Sequence, residues 1–254
     1  MDEVFLKLQR EAERIAAKHR QPEFYVRFKA PIALAKRLYY GHPQVAILRN
    51  MVRPFMWDNL GHGLYHSSRV SLDTATLVYV ELEADKLKRN RIERLMVLGI
   101  MGGLLHDISR GEENHAEAGA QEAARILRDF PLADDEVRCI CQAIRNHEAF
   151  ATPISCGRPW RQLISDCLYD ADKFRWGPDT FTHTLWHIVD HQKITPQELI
   201  GRFPWGMSGI QRIPETFRTN AGRLYGPEII ETGIEIGKEI YRYLLQHFRE
   251  EIND

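Results

Sequence analysis

The sequence holds only four cysteines in 254 residues, Cys139, Cys141, Cys156 and Cys167, with no Cys-x-x-Cys pair. That scarcity argues against a disulfide framework and predicts reduced, partly buried thiols in a reducing compartment. Charge of one sign is lacking too: 34 Lys and Arg stand against 35 Asp and Glu, a formal net charge of -1. No overall field draws the chain to DNA, RNA or a membrane, so an anionic substrate must be drawn by a local cluster. Long hydrophobic runs are missing. The most apolar, Leu95 to Leu105, is far shorter than the ~20 residues a membrane span needs. The opening MDEVFLKLQR contains no apolar stretch of the kind a secretory leader carries, and a cytoplasmic location is expected. Strand alternation is nearly absent, and there is no internal repeat or low-complexity tract.

What remains is helical periodicity. Phe5, Leu6, Leu8, Ala12, Ile15 and Ala16 mark an amphipathic first helix. Pro31 to Tyr40 and Pro43 to Met51 read as shorter helices with proline near the start. A long helix is expected from Leu60 to about Lys86, followed by Arg91 to Asp107. The latter is apolar on every side from Leu95 onward, so it should be a buried central helix. Asn114 to Phe130 opens with Asn114 and has Glu117 three residues later, a capping-box pattern. Further helices are predicted at Asp134 to Phe150, Gln162 to Ala171 and Pro227 to about Phe248. Between Trp176 and Tyr225, glycines and prolines predict short helices joined by turns, while Trp176, Trp186 and Trp205 argue against disorder. The expectation is an all-α protein forming one domain over 1–254. N-terminal helices fill 1–59, the motif-bearing core about 60–174, and a C-terminal helical elaboration 175–254.

Chemistry gathers at three places. Leu104-Leu105-His106-Asp107-Ile108 puts a charged pair at the end of the most apolar helix, where burial is costly unless the pair is compensated or binds metal. Upstream, His66, Arg69, Val70 and Asp73 share one face of the long helix. Downstream, Asp170 and Asp172 close an apolar segment in Tyr169-Asp170-Ala171-Asp172-Lys173-Phe174.

The order His, His-Asp, Asp, in the contexts HSSRV, LLHDIS and DADKF, resembles the HD-domain superfamily of metal-dependent phosphohydrolases. The resemblance covers roughly residues 60 to 174. It implies an all-α bundle around a divalent metal, with His66, His106, Asp107 and Asp172 as ligands and Asp170 as the competing last ligand. Two imidazoles and two carboxylates make a mixed N/O site suited to Mn, Fe, Co, Ni or Zn, with Mg also admissible. His115, in the first turn of its helix, is kept neutral by the helix dipole, and His147 is expected to point inward. In dinuclear relatives two such histidines complete a second metal site bridged by the signature aspartate. Otherwise they hydrogen-bond substrate phosphate around one ion.

Arg110 stands where many relatives carry lysine, and its planar fork suits phosphate. Arg69 and Lys173 are further phosphate-binding candidates. His183, His187 and His191 stack on one stripe with HxxxH spacing but without the catalytic glutamate of a zinc protease. Arg212, Arg218 and Arg223 are candidates for a lid over an anion. The activity implied is hydrolysis of a phosphomonoester, nucleotide or cyclic nucleotide. Asp107, Arg110, His115 and His147 would form the catalytic group, and the partner would be a small phosphorylated, nucleotide-like substrate. Two alternatives are a non-catalytic nucleotide-binding regulatory module and an HD-type di-iron oxygenase.

Overall fold

A computed structural model describes residues 3–56, 61–85 and 87–248. Among them the chain is all-α, with no strand. Four helices lead in: α1 (Glu3–Ala16), α2 (Glu23–Arg27), α3 (Lys29–Gly41) and α4 (Pro43–Val52). Five carry the motifs: α5 (Leu64–Leu82), α6 (Arg89–Leu105), α7 (His115–Leu127), α8 (Asp134–Arg145) and α9 (Pro159–Phe174). A π turn at Thr180–Thr184 leads into α10 (Leu185–Gln192), α11 (Pro196–Ile210) and α12 (Asn220–Phe248). None of these helices is long and apolar enough to cross a membrane.

The apolar run does what its pattern dictates. Every residue from Leu95 to Asp107 is buried, and α6 packs against α3, α4, α5, α8 and α9. Its tightest neighbour is α5. A Cβ on Gly103 would lie 2.5 Å from the Ser71 Cα, so only glycine lets the two backbones come this close. Ser71 Oγ closes the contact by donating to the Ser67 and Ile100 carbonyls at 2.7 and 3.0 Å. This approach places His66 of α5 beside His106 at the C-terminal end of α6.

Several boundaries move, each for a local reason. The start expected at Leu60 lies outside the described residues, and α5 begins at Leu64. The Asn114 box does not form. Asn114 makes no side-chain cap, and Glu117 instead pairs with Arg145 across α7 and α8 and accepts from Gln121. Helix α8 stops at Arg145, five residues before the expected Phe150. Asn146 there donates to the Ile154 carbonyl and accepts from the Ile154 amide, and Phe150 takes φ 63°. Helix α9 runs on to Phe174, so Asp172, expected just beyond its end at Ala171, lies within it with Asp170. Helix α12 begins seven residues before Pro227, where Thr219 Oγ1 accepts from the Gly222 amide at 2.8 Å; Pro227 sits inside the helix. Helix α11 opens on a capping box. Thr195 Oγ1 accepts from Glu198 N at 3.2 Å, and Thr195 N donates to Glu198 Oε2 at 2.8 Å. The four cysteines are free, and burial pushes the Cys139 and Cys167 thiols up, away from reactive thiolate.

Adjacent glycines make the α5–α6 contact testable. Gly103→Ala drives a methyl group into backbone, a cost of ~1–3 kcal/mol that lowers the melting temperature by about 3–10 °C. At Gly102 a new Cβ meets only Leu168 Cδ2 at 3.6 Å. Gly102→Ala should therefore leave the melting point unchanged or raise it, since alanine is favoured over glycine in helices by up to ~1 kcal/mol. Thermal unfolding of both variants checks this, and equal shifts would contradict the close approach.

Candidate metal centre

Asp107 is the hub. It leaves the C-terminal end of α6, in a turn closed by Ile108 N donating to Leu105 O and Arg110 N to Asp107 O. Its Oδ2 lies 2.9 Å from His62 Nδ1, 3.3 Å from His106 Nε2 and 3.7 Å from His66 Nε2. Its Oδ1 lies 3.4 Å from His147 Nε2 and 3.9 Å from an Arg110 nitrogen. Asp172, reaching in from α9, brings Oδ1 to 3.2 Å from His66 Nε2 and 3.7 Å from His106 Nε2. His66, His106, Asp107, His147 and Asp172 are all buried.

Three overlapping sets of ligand atoms result, each within 4.8 Å: His62, His66 and Asp107; His66, His106 and Asp172; and Asp107, His115 and His147. The sequence motifs supply the middle set and Asp107. His62 lies outside the sequence motifs, and its four-residue spacing to His66 is the signal that points to it. It lies in the loop before α5, where Gly61 at φ +72° passes so close to Thr184 that a Cβ would sit 2.7 Å from its Cα. That turn aims the His62 ring at Asp107.

The imidazoles are pre-set as ligands. His106 Nδ1–H donates to the Gly103 carbonyl at 2.9 Å, and His147 Nδ1–H donates to the Ile144 carbonyl at 2.6 Å. Each therefore presents the Nε2 lone pair to the carboxylates. Burial lowers the His66 pKa to about 4, so its ring is neutral. Burial disfavours a charge on His106 as well, but Asp107 and Asp172 outweigh it and raise its pKa. Burial likewise penalises both carboxylates, yet neighbouring imidazoles, with Lys173 beside Asp172, hold both well below the usual range. These are anions that call for a cation.

The donor set fits a divalent metal on the geometry itself. Asp107 Oδ1 is buried and accepts no hydrogen bond. The 2.9 Å contact from His62 Nδ1 to Asp107 Oδ2 also lacks hydrogen-bond geometry, so that nitrogen has no partner either. Unpaired buried acceptors are costly in the interior of a protein, and lone pairs converging from different elements are what an ion satisfies.

Asp170 faces elsewhere. It accepts from the backbone amides of Arg218 and Thr219 at 2.8 Å each and from Thr219 Oγ1 at 2.7 Å, tying the start of α12 to α9. Lys173 is buried against Asp172 Oδ2 at 2.5 Å, over the Tyr169 ring, and is not placed to greet phosphate. Arg69 reaches Asp179 at 3.6 Å, in a buried network where Arg175 binds Asp179, Tyr25 and Asp73. Arg110 does face the centre, donating to His115 Nε2 at 2.8 Å; burial, then Arg110, lower the His115 pKa.

The His183 stripe is separate. The His183 ring packs at a tilt against Tyr65 and His187, with centroids at 4.3 and 4.4 Å, and no ligand cluster forms there among the described residues. The three arginines expected in a lid are committed to structure. Arg212 lies over the Phe150 ring, Arg218 lies over Tyr169, and Arg223 donates to the Phe217 carbonyl. The centre opens instead into a cleft of about 430 Å³ lined by His62, His66 and Arg110 at the metal-ligand side.

No protein-family model and no curated protein matches the chain. Among solved structures it is similar to the crystal structure of a predicted HD superfamily hydrolase from an uncultured Thermotogales bacterium. The two are 22% identical over 83% of this chain and 92% of that one, with a TM-score of 0.43. The metal-centre reading stands on the side-chain geometry alone.

The two neighbouring aspartates should separate in a pair of assays. Asp172→Asn is expected to lose bound metal. Asp170→Asn should keep its metal but lower the melting temperature, because the amide cannot accept all three bonds, at a cost of ~1–3 kcal/mol. Metal analysis and thermal melts of both variants check this, and the opposite pattern would reverse the assignment.

Proposed function

We propose that this chain is a divalent-metal-dependent phosphohydrolase of the HD-domain type. The observation that carries the reading is Asp107. It is a buried carboxylate whose two oxygens face different histidine sets, one of them with no hydrogen bond, and its neighbours His62, His66 and Arg110 line a cleft.

His66, His106 and Asp172, with one oxygen of Asp107, would hold a first ion. The other oxygen of Asp107, with His115 and His147, would hold a second. A bound divalent ion supplies Lewis acidity toward a phosphoryl oxygen and an acidified water. The chain's own residues do the rest. The backbone carbonyls of Gly103 and Ile144 fix the His106 and His147 tautomers. Arg110 is exposed beside the centre and brings a guanidinium to the place where phosphate charge must be balanced. His115, in the first turn of α7, adds the positive end of a helix dipole at the same place. With a single ion bound, His115 and His147 would instead hydrogen-bond the phosphate, His147 through Nε2 as the imidazolium, because its Nδ1–H is held by the Ile144 carbonyl.

A carboxylate shared between two histidine sets also suits a di-iron oxygenase, and one experiment decides between the readings. Protein loaded with Mn²⁺ or Co²⁺ should release p-nitrophenol from p-nitrophenyl phosphate or its diester. His106→Ala and Asp107→Ala should each lower turnover more than about 100-fold and deplete bound metal, a loss at least that of removing a supporting contact to a metal ligand. Arg110→Ala should cost about 10- to 100-fold in kcat/KM, with partial recovery in Arg110→Lys, which restores charge but not the fork. Oxygen uptake by iron-loaded protein, with no phosphate release under any ion, would replace hydrolase by oxygenase. Nucleotide binding without turnover of any kind would leave a regulatory module.

A further inference from the structure

The cleft beside the metal centre has two unlike parts. His62, His66, Arg110 and Arg175 line one. The other is walled by Leu185, Ile188 and Val189 of α10 and by Phe203, Met207 and Ile210 of α11. This second part is already built. Trp186 is buried and its indole N–H donates to the Phe181 carbonyl at 2.7 Å, which fixes α10 onto the π turn. Phe203 stacks between Phe181 and Tyr241, with centroids at 6.0 and 5.1 Å, which fixes α11 onto α12. A volume of about 430 Å³ lies within the range of small-molecule sites. Trp205 is 81% exposed yet lines the same cleft, which extends its apolar wall toward solvent.

We infer that this apolar part receives the non-phosphate portion of the substrate, and that this portion is a hydrocarbon chain or similarly apolar body rather than a nucleoside. The phosphate end of the inference rests on the phosphohydrolase reading; the apolar end rests on the wall itself. A nucleobase carries several donors and acceptors, and each left unpaired against Leu, Ile, Val, Phe and Met is penalised. The polar groups of the lining are few: Thr180, Thr184, Gln192 and Arg202, besides those at the metal centre. A hydrocarbon asks nothing of such a wall except to leave water. An alkyl or prenyl-like phosphate thus matches both parts at once, with its anionic head toward Arg110 and its tail along α10 and α11.

The test is calorimetric binding of n-butyl, n-octyl and n-dodecyl phosphate, each below its micelle concentration, and of adenosine monophosphate. Each titration is run with Mn²⁺ and again after chelation. The inference expects affinity to rise about two- to fourfold per added methylene until the wall is covered, with octyl phosphate bound more tightly than the nucleotide. Two variants address the wall directly. A Cβ at Gly206 meets no atom within 4 Å, so Gly206→Leu fills the space without disturbing the core. Ile188→Gln makes the wall polar. Both should flatten the chain-length series while far-UV circular dichroism stays unchanged. A flat series in the wild type, or tighter binding of the nucleotide than of octyl phosphate, overturns the inference and leaves the hydrolase reading untouched. A steep series that is indifferent to Mn²⁺ and to replacing the phosphate by an alcohol upholds the apolar site and removes the hydrolase reading.

Discussion

Asp107 and Asp172 are two carboxylates sunk into the interior of a helical protein within reach of the same two imidazoles. Burying an ion costs several kcal/mol unless opposite charge lies beside it. Lys173 compensates Asp172 in part, and Arg110 approaches Asp107 from the solvent side. The remaining deficit is visible in the chain itself. His106 is pulled toward the protonated state, and one oxygen of Asp107 goes without a hydrogen bond. A divalent cation would resolve both, and the arrangement of α5, α6, α8 and α9 is intelligible as the frame that holds these candidate ligands.

The frame depends on distances set far from any charge. Gly103 lets α5 and α6 touch backbone to backbone, and one turn later His66 and His106 bring their Nε2 atoms to 3.1 Å. The carbonyl of that same glycine holds His106 Nδ1–H, so one residue sets both the helix spacing and the tautomer. Asp170 and Asp172, two apart on α9, divide their labour by facing opposite ways. Asp172 turns to the histidines, and Asp170 anchors the amides that start α12. The long last helix is thereby fastened to the helix that carries Asp172.

Much of this was legible in the sequence, and the limits of legibility are physical. The apolar run from Leu95 to Leu105 signals a buried central helix, since a stretch apolar on every side has no face to turn to water. The motif order picked out His66, His106, Asp107 and Asp172, and the fold brings these four together. Periodicity could not say which way Asp170 and Asp172 point, because helix α9 continues past both and their partners, Thr219 and His66, are distant in sequence. Arg69 looked free for phosphate for the same reason: Asp179 becomes its neighbour only through the fold. Lys173 is held locally instead, by the adjacent Asp172 and by the Tyr169 ring one helical turn back. The Asn114 capping box failed because Glu117 found Arg145 on another helix, a competitor no local pattern reveals. His62 stands four residues before His66, a spacing that hints at a shared site, but the helix begins only at Leu64, so the turn at Gly61 and not helical periodicity decides where its ring points.

The most direct test is to see the ion. Crystals grown with Mn²⁺ and measured on both sides of its absorption edge give the position of the metal independently of any assay. The account predicts an anomalous peak among His66 Nε2, His106 Nε2, Asp107 and Asp172, with any second peak on the far side of Asp107, toward His115 and His147. A metal found only elsewhere, as between His183 and His187, or no peak in crystals whose protein is shown to carry stoichiometric manganese, would contradict it.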